Sequence, residues 1–103
     1  MNNNDLTEAF ERLKQDYRIK LKDKKLILEQ IFSGIQCNVA DKEELFQTAH
    51  SLAGGGGMFG FDEISKTALC LELKLKSDDF DNNLIKILIN KLIIEINTAT
   101  ENI

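Results

Sequence analysis

The sequence predicts an all-α fold, an antiparallel up-down four-helix bundle with a long first helix. None of the 103 residues is proline, so no position is barred from the i→i−4 hydrogen bond of a helix. Four stretches repeat their apolar residues every three or four positions, the period of one helical face. Short connections join the stretches, which makes successive helices antiparallel neighbours. Strand signals are weak, because the β-branched residues of 84–96 run past strand length without alternating. No repeat, linker or low-complexity segment divides residues 1–103, and the chain reads as a single domain.

The first helix is expected from about Asp5 to Ile35. Leu6, Phe10, Leu13, Tyr17, Leu21, Leu28, Ile31 and Ile35 fall on one stripe, and Gly34 sits where the helix would end. The basic residues between Arg18 and Lys25 read as its solvated face and are the place where it would kink or break, if anywhere. The second helix is expected from about Lys42 to Phe59. Asp41 suits its N-cap, with Glu44 completing a capping-box pattern, and Gly60 suits its C-terminal cap. Its stripe is Leu45, Ala49, Leu52, Gly56 and Phe59. The third runs from about Asp62, another N-cap candidate, to Lys76, with the stripe Ile64, Ala68, Leu71 and Leu75. After the polar turn SDDFDNN (77–83), the fourth runs from about Asp81 to Thr100. Ile87, Ile89, Ile93 and Ile94 widen its apolar face, as suits a helix packed on more than one neighbour.

Composition narrows the function. A net charge of −4, from 13 basic and 17 acidic residues, gives no global footprint for nucleic acid. The amino end, MNNNDLTEAF, has neither the apolar core nor the basic prefix of a signal peptide. The longest apolar stretch, IKILINKLIIEI, is interrupted by charges and does not read as a membrane span. Cys37 and Cys70 form no CxxC pair, and His50 is the only histidine, so no metal site is expected. Both cysteines read as reduced side chains of a cytoplasmic protein.

Five of the six glycines follow His50 within ten residues, in the stretch AHSLAGGGGMFGF (49–61). The apolar stripe stays in phase across Gly54–Gly57, which places them inside the second helix. Each costs roughly 0.5–1 kcal/mol relative to alanine there, so the four together cost about 2–4 kcal/mol. A flexible linker would break the phase. A phosphate-cradling P-loop lacks its Lys-Ser/Thr pair and its preceding strand. Close approach remains. Gly56 lies on the core stripe, where a neighbouring helix packs tightly. Gly54 and Gly57 follow His50 on its own side, where side chains would obstruct anything reaching for the imidazole.

These residues resemble histidine-containing phosphotransfer (HPt) domains of multistep two-component phosphorelays. The family motif, His-x-Leu-(Lys or Ala)-Gly with a further glycine ten residues after the histidine, reads here as His50-Ser51-Leu52-Ala53-Gly54 and Gly60. Phe61 and the Leu71-Glu72 pair fit as well, and the order of helices agrees over nearly the whole chain. The resemblance implies a phosphocarrier rather than an enzyme. His50 would accept a phosphoryl group from a receiver-domain aspartate and pass it to another receiver. Gly54 would let the receiver approach, and Gly60 is the motif's second glycine. The implied partners are response-regulator receiver domains and a hybrid sensor kinase, with the chain a cytoplasmic monomer that binds neither nucleic acid nor membrane. It needs no cofactor of its own, the Mg²⁺ of the reaction belonging to the receiver.

An imidazole is nucleophilic and largely neutral near neutral pH. Nε2 of His50 is the expected attacking atom, and Glu72 the candidate acceptor for Nδ1–H, unless Glu72 is simply a surface charge. The lysine that many members carry within the motif is absent at Ala53, and Ser51 supplies no cation in its place. Lys66 or Lys76 on the third helix would replace it, or the receiver and its Mg²⁺ would supply all the positive charge. Ser51 and Gln47 are candidates to bond phosphate oxygens. The docking patch is expected at Phe46, Gln47, Ala53, Gly54, Gly57 and Met58, with Phe46 either exposed or covered by a wide core. The competing function is an HPt-shaped helical module that is never phosphorylated and binds or inhibits a kinase or receiver.

Overall fold

The computed structural model describes residues 3–34, 39–77 and 81–101. It is all-α, with α1 (Asn3–Ser33), α2 (Val39–Met58), α3 (Asp62–Lys76) and α4 (Asn82–Thr100). α1 packs on α2 and α4, and α3 on α2 and α4; no pair packs across a diagonal among the described residues. That ring of neighbours is the bundle expected from short connections. The stripes of α2 and α3 close the core: Leu45, Ala49 and Leu52 are fully buried, as are Ala68 and Leu71. Ile85, Ile89, Leu92 and Ile96 face them from α4.

The helix ends follow local chemistry. Gly60 alone takes a positive φ, +82°, among the described residues. Its N–H donates to the Gly57 carbonyl (3.3 Å) and that of Phe61 to the Gly56 carbonyl (2.7 Å), a Schellman cap on α2. Asp81 caps α4, its Oδ1 accepting from the N–H of Asn83 at 2.9 Å and of Leu84 at 3.3 Å. Two expected caps are displaced. α2 already begins at Val39, so Asp41 falls in its first turn. Asp62 is the first helical residue of α3, and the cap position is Phe61, which offers no side-chain acceptor. Ile35, Cys37 and residues 78–80 of the polar turn lie outside the described residues.

α1 corrects the reading of its own stripe. It runs unbroken through the basic residues for 31 residues, but Leu6, Phe10 and Leu13 are 57, 44 and 56% exposed. The cause is length. At about 1.5 Å per residue, α1 outruns its neighbours by well over a turn. Lys25 Nζ donates to Asn97 Oδ1 (2.9 Å), so α4 ends alongside the middle of α1. The first two turns of α1, with Leu6, therefore project past the bundle, which measures 51 × 23 × 20 Å, while Phe10 lies at its edge against Phe59, 5.8 Å between centroids. On α4, Ile87 and Ile94 are likewise exposed, because packing on α1 and α3 covers only part of its wide face.

Candidate functional site

The four consecutive glycines of α2 meet four different surroundings. A Cβ at Gly54 would touch nothing within 4 Å. At Gly55 it would lie 2.6 Å from Cε2 and the hydroxyl oxygen of Tyr17, at Gly56 3.2 Å from the Ser65 backbone nitrogen, and at Gly57 3.3 Å from Ser65 Oγ. Gly56 thus admits the start of α3, as its place on the stripe predicts, and Gly54 leaves open space on the outer face. Gly57 is exposed but also serves packing. Its bareness makes room for the Ser65 hydroxyl, which donates to the Ala53 carbonyl at 2.6 Å. Gly57 therefore does more than leave the His50 side of α2 bare.

Gly55 faces α1 rather than α3. It is the seat of Tyr17, whose ring stacks on Phe59 (4.9 Å between centroids) and on Phe61 (6.0 Å). Burial pushes the Tyr17 phenol above its ordinary pKa. This stack pins α1 to the glycine-bearing end of α2.

His50 stands two turns before that end on the outer face of α2, its side chain 67% exposed. Nδ1 lies 2.6 Å from Glu72 Oε1 on α3. The Glu72 side chain is only 8% exposed, since residue 72 lies between the core positions Leu71 and Leu75. A carboxylate buried that far needs partners. It has two: the imidazole and, at 4.0 Å, Lys76 Nζ one turn on. An ionised carboxylate only accepts, so in the neutral ring Nδ1 carries the proton and Nε2 the lone pair. The geometry leaves a nucleophilic nitrogen on an exposed ring whose other nitrogen is held.

Phe46, one turn before His50, is half-buried. It packs against the core and lies with its ring nearly parallel to the imidazole, centroids 6.2 Å apart. Lys76 Nζ sits 5.3 Å from the Phe46 centroid, a cation–π distance. Lys76 therefore stands beside the imidazole, held by Glu72 on one side and Phe46 on the other. Lys66 does not: it is exposed six residues before Glu72, about 9 Å along the helix axis. Gln47 and Ser51 are exposed on α2, and Met58 is 73% exposed. Ala53 is half-buried towards α3, where its carbonyl meets Ser65. Ser65 and Tyr17 are the residues the sequence reading missed. Tyr17 is the only tyrosine and sits on the α1 stripe; nothing in the spacing singles out Ser65.

The bundle thus presents one exposed, carboxylate-held imidazole beside a bare helix surface. The chain belongs to the Hpt domain family, whose model matches residues 4–99. Hpt domains are phosphocarriers that exchange phosphoryl groups with receiver domains in phosphorelays. No curated protein and no solved structure matches the chain. Among the described residues, no helix is long and apolar enough to cross a membrane.

Proposed function

We propose that this chain is a phosphorelay intermediate that takes a phosphoryl group from a receiver aspartate onto Nε2 of His50 and delivers it to a second receiver. The observation that carries the reading is the His50–Glu72 pair. With Nδ1–H donating to Glu72, the Nε2 lone pair attacks phosphorus in line as a receiver docks. The Nε2–P bond forms, the bond from phosphorus to the aspartyl oxygen breaks, and its electron pair leaves with the carboxylate. The proton stays at Nδ1, where Glu72 stabilises the cationic character the ring acquires. The reverse sequence unloads His50 to the next receiver.

Lys76 replaces the cation missing at Ala53. It stands on the imidazole's flank, whereas Lys66 is a turn and more away. Gly54 provides the clearance a docking receiver needs, with Phe46, Gln47, Ser51, Gly57 and Met58 around it; Ser51 and Gln47 are within a turn of the imidazole and suited to bond phosphate oxygens. Mg²⁺ belongs to the receiver. The chain acts as a cytoplasmic monomer, loaded by way of a hybrid sensor kinase.

The alternative, an unphosphorylated module that inhibits a kinase or receiver, is favoured by Ala53, where many relatives hold lysine. The two separate on incubation with phosphorylated receiver domains of the same cell. Acid-labile, alkali-stable label on the wild type and none on His50→Gln supports the carrier. Tight receiver binding without any label supports the inhibitor.

A further inference from the structure

His50 and Lys76 act on the same oxygen. Nδ1 of the imidazole lies 2.6 Å from Glu72 Oε1, and Lys76 Nζ lies 4.0 Å from that atom. The first distance is a short hydrogen bond and the second is too long to be one. The oxygen therefore belongs to the imidazole, although the ammonium sits one turn along α3 with a stem long enough to close on it. A second attraction comes from α2. Lys76 Nζ is 5.3 Å from the centroid of Phe46, within cation–π range. Phe46 is half-buried and packed against the core, so its ring offers the ammonium a fixed face. It stands one turn before His50 on the same side of α2, its ring within 11° of parallel to the imidazole. Phe46 thus borders both the nucleophilic ring and the cation beside it, and a place in a docking patch accounts for neither contact.

We propose that Phe46 is a positioning residue for phosphoryl transfer, its ring face holding the Lys76 ammonium clear of Glu72 Oε1 and ready for the phosphoryl group. This role rests on the phosphotransfer reading and adds to it the residue that sets the cation's place. A ring suits the task because its face attracts the charge without engaging the ammonium's N–H donors as a carboxylate would. Glu72 Oε1 is then left to Nδ1–H. Once phosphorus is bonded to Nε2, the ammonium keeps the ring face and donates to the phosphoryl oxygens. Leucine at position 46 retains an apolar contact with the core but removes the face. Lys76 is then free to close on Oε1 before transfer, where it competes with Nδ1–H. That contact has to be given up when the phosphoryl group arrives, so the loaded state loses ground to the unloaded one.

Two measurements on the full chain test this role, using Phe46→Leu, Phe46→Tyr, Lys76→Ala and the double variant Phe46→Leu/Lys76→Ala. The first is proton NMR and needs no receiver. The ring current of residue 46 should shift the Lys76 ε-protons upfield in the wild type and in Phe46→Tyr, and leave them unshifted in Phe46→Leu. The second is the phosphoryl equilibrium between His50 and receiver domains of the same cell, phosphorylated with acetyl phosphate and Mg²⁺. An equilibrium between the free proteins does not depend on how tightly they dock, so a lost docking contact slows transfer without moving it. Phe46→Leu should move it towards the receiver about two- to fivefold, the size of an exposed cation–π contact. Phe46→Tyr should restore the wild-type value, and Phe46→Leu should add nothing once Lys76 is alanine. An unmoved equilibrium in Phe46→Leu, or the same shift with and without Lys76, overturns the positioning role. Unshifted ε-protons in the wild type overturn the hold on Lys76 itself. No transfer to the wild type from any receiver, with the ε-protons still shifted, overturns the phosphotransfer reading and leaves that hold standing.

Discussion

Adjacent glycines at 54 and 55 should respond in opposite directions to the same added methyl. Alanine at either position gains about 0.5–1 kcal/mol of helix propensity. At Gly54 the new Cβ enters open space, so the gain is kept. At Gly55 it would sit 2.6 Å from Tyr17 Cε2 and from its hydroxyl oxygen, and 2.8 Å from Cζ. The ring cannot simply withdraw, being stacked between Phe59 and Phe61. Overpacking of this kind costs about 1–3 kcal/mol, and the lower half applies because the clash is with the far end of a half-buried side chain. The propensity gain cancels in the difference, leaving Gly55→Ala less stable than Gly54→Ala by about 1–2 kcal/mol. For a domain of this size that is a gap of at least about 4 °C in Tm. Thermal melts followed by circular dichroism measure it, and adding Tyr17→Ala should erase the gap. Equal melting of the two single variants, or a more stable Gly55→Ala, would refute the seating of Tyr17 on Gly55.

Glu72→Ala should slow single-turnover transfer about tenfold, the low end for a charge-assisted bond because His50 is largely exposed, while Glu72→Gln keeps an acceptor and most of the rate. Imidazole ¹⁵N shifts should show the Nδ1–H tautomer dominating in the wild type and lost in Glu72→Ala; an unchanged tautomer contradicts the role given to Glu72. Lys76→Ala should shift the phosphoryl equilibrium from His50 towards the receiver about two- to fivefold, as suits an exposed cation worth roughly 0.5–1 kcal/mol. The same shift in Lys66→Ala and none in Lys76→Ala would reverse that assignment. Tyr17 is the only tyrosine and there is no tryptophan, so tyrosinate absorbance reads it alone. Burial favours the neutral phenol, raising its pKa from the ordinary 10.0. Its contribution to stability is therefore complete below pH 10 and lost as pH rises through the higher folded value. A midpoint at or below pH 10 in the folded protein would contradict this.

The four helices were legible because a buried face must recur at the helical period, and the stripes of α2 and α3 are buried as written except Phe59, which is half-buried just past the end of α2. Leu6, Phe10 and Leu13 obey the same period but stay exposed. Periodicity reports which residues share a face, not whether a neighbouring helix is long enough to cover it. Within the site, His50 and Glu72 came from the motif and its spacing, and the structure brings them to 2.6 Å. Ten residues apart on one stripe, Lys66 and Lys76 looked equivalent. Only the position of α2 against α3 places Lys76 beside the ring. Gly55 and Ser65 were illegible for the same reason, since each matters through a residue on another helix.

The most direct measurement is heteronuclear NMR of the ¹⁵N-labelled chain after transfer from a phosphorylated receiver. A single phosphohistidine at position 50, with phosphorus coupled to Nε2 and Nδ1 still protonated, is the result expected. Phosphorus on Nδ1, or on any residue other than His50, would contradict the account.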